Sequence, residues 1–273
     1  MSVLARVRAP ASTANIGPGF DCAAVALDLW NELEVTDGEG PLPPDHLGVR
    51  AFSLLAPTEG RRFQFTDRIP RERGLGSSAS VIALGLLAAC AVSGRALDLE
   101  ELLAAGVELE GHADNLAAVL AGGVCLTWDG RIVRLADRPP AAPIALVPET
   151  TVSTAAARAA LPESVQHGDA AFTAARAALL GASIALGSTE LFAESLADRL
   201  HEPYRAAQIP LLGTLRAEPP PGSVGVTVSG SGPTLIVWAR LDAAPACAAE
   251  LMRRHPELNV LALDPSPLGA HVF

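Results

Sequence analysis

Residues Arg73–Ser80 read RGLGSSAS and run straight into VIALGLLAACAVSG, residues 81–94. Two glycines and three serines stand at the mouth of a long apolar, alanine-rich segment. A helix that begins there leaves its first backbone N–H groups unpaired and carries about half a positive charge at that end. Glycines let the backbone curl close around an anion. Serine hydroxyls can bond phosphate oxygens or a hard cation that prefers oxygen. The stretch is therefore suited to holding phosphates without a lysine, and Arg71 and Arg73 add charge at the same place. The plain alternative is a glycine turn with serine caps that binds nothing.

The missing lysine is general. All 20 basic residues of the 273 are arginines, which excludes a Walker-type phosphate loop, a protein-kinase fold and Schiff-base chemistry, each of which needs a lysine. An apolar fraction of 49% and a charged fraction of 18% describe a globular chain. The net charge of -10 argues against broad binding to nucleic acid or anionic membrane. It leaves room for a small phosphate ligand, because a local field can oppose the global one. Cys22, Cys90, Cys125 and Cys247 are far apart and form no CxxC, so they read as small buried hydrophobes of a reduced cytoplasm. Residues 1–9 hold no apolar signal-peptide core, and residues 81–92 are too short to cross a bilayer. The expectation is a cytoplasmic protein without nucleic-acid or membrane partners.

Working outward from the glycine loop, the pattern predicts strands over 3–8, ended by Pro10, over 24–35, and around Phe63 and Phe65. Residues 36–48 read as a loop and 49–56 as a short helix. The glycine loop opens a helix over 78–92. Asp98, with Glu101 three residues on, reads as the cap of a helix reaching Glu110. A further helix spans 115–121, and Asp129-Gly130 joins a hairpin of strands 124–128 and 131–135. Residues 136–143 (ADRPPAAP) are the linker candidate. Beyond it come a strand at 144–147 and helical patterns near 154–161, 169–186 and 189–200. Strands 224–228 and 234–239 flank SGSGP, and a helix at 243–254 precedes a strand at 260–263. Strands and helices in both halves indicate an α+β fold with two domains, 1–138 and 139–273.

Three motifs in order give the chain a resemblance. They are Pro10–Asp21 (PASTANIGPGFD), Ile69–Ser80 (IPRERGLGSSAS) and Val226–Pro233 (VTVSGSGP). Glu110–Asn115 (EGHADN) and Asp198–Arg205 (DRLHEPYR) fall between them. Together they resemble the GHMP small-molecule kinases and, within these, the homoserine kinase family, over nearly the whole chain. The middle motif marks only the superfamily; the first is more specific. Residues 36–48 look shorter than the family's stretch that contributes to the adenine pocket.

The resemblance implies a ribosomal protein S5 domain 2-like N-terminal domain and a ferredoxin-like C-terminal domain, with the active site between them. It implies ATP and Mg²⁺ as cofactors, L-homoserine as substrate and O-phospho-L-homoserine, a precursor of threonine, as product. Arg73, Gly74, Leu75, Gly76, Ser77, Ser78, Ala79 and Ser80 would line the ATP phosphates. Glu110, with Ser77 or Ser78 and Ser78 preferred, would hold Mg²⁺; read without the motif, Glu110 is an exposed helix acid. Asp114 would meet the attacking hydroxyl as base or as positioner, or it is simply a helix cap. His112 and Asn115 read as structural partners. Asn15 would bond the hydroxyl and Asp21 the ammonium, unless both merely shape a turn. Arg176 and Arg205 would grip the carboxylate, the alternative being surface ion pairs. Ser229 to Gly232 would form a second tight loop facing the first, with Gly232 at the substrate, or only a turn between strands. A sibling kinase acting on another alcohol and a non-catalytic protein of the same fold are the rival readings. A homodimer is left open.

Overall fold

In a computed structural model, which describes residues 2–40 and 45–273, the first half builds one sheet with helices packed against it. β1 (Val3–Ala14) and β2 (Ala23–Asp37) pair antiparallel along most of their length. β1 does not end at Pro10. That residue pairs with Trp30 and stands at a register shift before Ala11, where a bulge tolerates the missing N–H. After α1 (Leu47–Ser53) comes β3 (Arg61–Thr66), followed by α2 (Ser77–Ser93), α3 (Leu99–Glu110) and α4 (Asp114–Ala121), then β4 (Val124–Trp128) and β5 (Arg131–Ala136). The edge of β2 away from β1 is shared: β3 pairs with residues 32–37 and β4 with residues 23–25. Part of the loop expected over 36–48, residues 41–44, lies outside the described residues.

α2 is apolar all round because it is buried all round, between the sheet and the other helices, with Ile82, Leu84 and Leu86 fully covered. Asp98 caps α3 as expected, its carboxylate accepting from the N–H groups of Glu100 and Glu101 at 3.0 and 2.9 Å. In the β4–β5 hairpin Asp129 and Gly130 both take positive φ, 47° and 75°, which a two-residue turn of this hand demands.

Residues 136–143 are less a linker than a buried connection, since Pro139, Pro140 and Ala141 are covered. It leads into β6 (Ala142–Val147), α5 (Thr154–Ala159), α6 (His167–Leu186), α7 (Thr189–Ser195), α8 (Glu202–Arg205) and α9 (Pro210–Ala217). β7 (Ser223–Val228), β8 (Leu235–Ala239), α10 (Ala244–Arg254), β9 (Asn259–Ala262) and β10 (His271–Val272) complete the chain. The second sheet runs β7-β8-β6-β9, antiparallel throughout, which is the ferredoxin-like arrangement.

The end of the chain returns to the first sheet. Ser266 N donates to Ala26 O at 2.8 Å, Ala270 N to Val119 O at 2.7 Å, and β10 pairs with β1 at Val7 and Arg8. A boundary at 138/139 therefore leaves the last strand with the first layer. Among the described residues α6 alone is long and apolar enough to cross a bilayer, with a mean hydropathy of 1.3. Its inward positions Thr173, Leu180, Ser183 and Ile184 are buried within the protein, as in a surface helix rich in alanine.

Candidate active site

The glycine loop meets the SGSGP loop across the gap between the two sheets. Gly74 and Gly76 take φ of 79° and 66°. A Cβ on Gly74 would stand 2.1 Å from Ser229 O, and one on Gly76 would stand 2.0 Å from Ser12 Oγ. Gly74 thus serves the packing of loop on loop and Gly76 the packing of the loop on β1. Ser229 Oγ ties the loops together, donating to Gly74 O at 2.6 Å with Thr13 Oγ1 at 2.8 Å.

Between the loops lies a cleft of about 310 Å³, within the usual range for small-ligand sites. Of the expected phosphate-binding run, Arg73, Gly74, Gly76, Ser77 and Ser78 line it. Leu75, Ala79 and Ser80 do not. Leu75 is buried and its carbonyl accepts from Ser12 N at 3.1 Å, Ala79 faces the core, and Ser80 Oγ donates to Ala9 O at 3.1 Å. The helix period turns Ala79 and Ser80 inward, and Leu75 precedes α2.

Ser78 Oγ donates to Glu110 Oε2 at 2.6 Å, so it is Ser78, and not Ser77, that meets the carboxylate. The Glu110 side chain is largely buried, and that desolvation raises its pKa despite the Ser78 hydrogen bond and the neighbouring His112. His112 lies between two acids, Nδ1 2.9 Å from Asp114 Oδ1 and Nε2 3.6 Å from Glu110 Oε1. Burial works against its charge, but the Asp114 hydrogen bond and both carboxylates outweigh that and raise its pKa. No group of three or more His, Cys, Asp or Glu is arranged to hold a metal among the described residues. The donors on offer are all oxygen, a hydroxyl and a carboxylate in contact beside a helix start. This fits Mg²⁺, which takes one or two protein oxygens and completes its shell from phosphate and water.

Asp114 is 2% exposed and is not the cap of α4, because Ala113 holds that place. Its Oδ1 accepts from Asn115 N at 2.8 Å and faces His112. Asn115 is a brace, its Oδ1 accepting from Ser12 Oγ at 2.8 Å. Asn15, at φ 59°, gives one Nδ2 hydrogen to Gly230 O at 3.0 Å and accepts at Oδ1 from Asp21 N at 2.8 Å. Its second Nδ2 hydrogen is left for a ligand.

Asp21 is held at both carboxylate oxygens by a residue that the sequence did not single out. Arg158, on α5, forms a two-pronged pair with it at 2.7 and 3.0 Å and lines the cleft. That pair raises the arginine's pKa further. Arg205 is 2% exposed and also lines the cleft. Its Nη1 reaches Gly230 O at 3.0 Å and His201 Nδ1 at 3.2 Å, while Nε is buried without a partner. Burial lowers the Arg205 pKa, with Arg158 adding repulsion. An unpaired buried donor of this kind is costly unless a ligand meets it.

Two expected substrate residues stand elsewhere. Arg176 does not line the cleft; it hydrogen-bonds the backbone oxygen and carboxylate of Glu194 and stacks on Phe172, because its face of α6 turns toward α7. Gly232 also lies outside it. Its N–H donates to Ser229 O at 2.8 Å, closing the turn, and Gly230 and Ser231 face the cleft in its place. The one sequence signal for Arg158 was Ser153, which caps α5 by accepting from Ala156 N at 3.1 Å and so places Arg158 on a helix of its own.

The family model for the N-terminal domain of GHMP kinases matches residues 46–123. The homoserine kinase of Moorella thermoacetica is 36% identical, covering 98% of this chain and 99% of that protein. That of Streptomyces coelicolor is 40% identical over 88% of this chain and 85% of its own length. The crystal structure of homoserine kinase from Cytophaga hutchinsonii superposes with a TM-score of 0.83 at 26% identity, over 98% of this chain and 97% of that one. With its fold, its two facing glycine loops and full-length relatives of this kind, the chain belongs to the homoserine kinase family of the GHMP kinases, enzymes that use ATP.

Proposed function

We propose that the chain transfers the γ-phosphoryl group of ATP to the side-chain hydroxyl of L-homoserine, giving O-phospho-L-homoserine for threonine biosynthesis. One observation carries this reading: a single cleft is lined both by a set of groups suited to an anion and by a set suited to a zwitterion. Gly74, Gly76, Ser77 and Ser78 form the first; Asp21, Arg158 and Arg205 form the second. An amino acid presents an ammonium to Asp21 and a carboxylate to the arginines, and a planar guanidinium fork suits a carboxylate. Arg205 Nη2, which makes no hydrogen bond among the described residues, is the donor that such a carboxylate would meet.

Ser78 and Glu110 would hold Mg²⁺, which when bound neutralises charge on the phosphates. Asp114 keeps Oδ1 on His112 and Asn115 N, leaving Oδ2 to take the hydrogen bond of the alcohol. A loose phosphoryl-transfer transition state asks little deprotonation of that hydroxyl, so holding it in line is the larger part of the task. Asn15 supplies its free Nδ2 hydrogen at the same oxygen. The four cysteines are free thiols, in keeping with a cytoplasmic enzyme, and the acidic charge with one that avoids nucleic acid and membrane. We place the domain boundary at 138/139, with the final strand returning to the first domain.

The test is ADP release with homoserine against an alcohol of the same length that lacks the carboxylate. Homoserine is expected to be the far better substrate. Equal efficiency with the simple alcohol would overturn the substrate assignment and leave the kinase family untouched.

A further inference from the structure

Arg73 was expected on the phosphates, yet its guanidinium is spent on backbone carbonyls. Nε donates to Pro148 O at 2.9 Å, Nη2 to Glu149 O at 2.6 Å and Nη1 to Arg71 O at 3.0 Å. Next to it, Glu72 O accepts from Val152 N at 3.2 Å. The glycine loop therefore grips the segment 148–152 at three points, two through Arg73 and one through Glu72. That segment leads through the Ser153 cap into α5, and α5 carries Arg158.

Little else holds α5. Only Ala157 of its six residues is buried, and a helix of this length has no stability of its own. Its position depends on the grip that precedes it and on the pair that Arg158 makes with Asp21. When substrate arrives, the two ends of its zwitterion compete for the partners in that pair, and the grip at 148–152 becomes the remaining fixed attachment.

We infer that Arg73 is a positioning residue for the alcohol substrate: it docks the strap 148–158 onto the glycine loop and so sets where Arg158 stands in the cleft. The inference rests on the reading of Asp21 and Arg158 as the zwitterion pair. Three of the five N–H donors of Arg73 are directed at carbonyls. Its loss is therefore felt at the amino-acid end of the cleft, although the residue belongs to the phosphate motif.

The test is Arg73→Ala, read by steady-state kinetics and by hydrogen exchange. The KM for homoserine is expected to rise about 10-fold or more, from the lost charge-assisted bonds, while the KM for ATP moves less than about 3-fold. Amide exchange across residues 152–159 should quicken in the substrate-free enzyme. Ser153→Ala removes the α5 cap without touching Arg73 and should give the same pattern, about 2- to 30-fold in the KM for homoserine. It decides the matter should Arg73→Ala fail to fold. A rise in the KM for ATP alone, an equal rise in both, or unchanged exchange over 152–159 overturns the inference. The exchange measurement uses no alcohol. If wild type fails to phosphorylate homoserine while Arg73→Ala still quickens exchange, the substrate assignment falls and the docking role of Arg73 stands.

Discussion

Replacing three arginines one at a time by leucine separates the carboxylate grip proposed from the cleft lining from the one the motif suggested. A charge-assisted hydrogen bond to a carboxylate is worth about 1.5–3 kcal/mol. Arg205 is 2% exposed, so water screens its contact little, and Arg205→Leu should reach the upper end, about 3 kcal/mol or roughly 150-fold in kcat/KM. The side chains of Arg158 and Asp21 are 39% and 38% exposed. Solvent screening brings Arg158→Leu down to about 1.5–2 kcal/mol, or roughly 12- to 30-fold. A further offset exists, because Asp21 no longer has an arginine to exchange for the ammonium. Arg176 touches Glu194 and Phe172, so Arg176→Leu should stay within about twofold, like other surface changes. The assay is coupled ADP release at saturating ATP with homoserine varied, after circular dichroism shows each variant folded. The losses should fall mainly on the KM for homoserine, with some kcat lost because the same grip aims the hydroxyl. An Arg176→Leu loss as large as that of Arg158→Leu would refute the placement of the carboxylate.

Gly76→Ala should lower Tm by roughly 3–10 °C, since a Cβ there combines positive φ with a collision at Ser12 Oγ; adding Ser12→Gly should recover part of it in the same melt. Glu110→Gln should cut turnover steeply while homoserine binding holds, and titrating Mg²⁺ at fixed ATP would expose any error. Because burial raises the Glu110 pKa, acid protonates it early, so the Mg²⁺ requirement of wild type should climb as pH falls toward that raised value. The glutamine variant should lose that pH dependence. Deleting residues 265–273 removes the Ser266, Ala270 and β10 pairings and should destabilise the first layer, seen as a lower denaturation midpoint in urea.

Most of the fold was legible because local chemistry and tertiary context agree. The Asp98 cap and the Asp129-Gly130 turn need particular residue types at particular backbone angles, and the chain supplies them. Pro10 misled because its cost as a strand residue is set by the partner strand, where a register shift absorbs it. β10 is two residues long, and α8 is a single turn; neither has room for a periodic signal. At the site, motifs located the glycine loops, Glu110 and Asp114. They could not separate Arg158 from Arg176, since both are arginines on alanine-rich helices. Which helix face meets the cleft is a matter of packing between layers.

The pairing of β10 with β1 joins residues that lie far apart in the sequence. Val7 pairs with Val272 and Arg8 with His271. Until β10 docks, the outer edge of β1 has its N–H and C=O groups open at that point, and an open edge is a template for another chain. This closure is among the most non-local contacts the sequence permits, and such contacts form late and slowly. A chain whose β10 is detached thus exposes a strand edge next to a nearly complete core, where strands of another copy can pair.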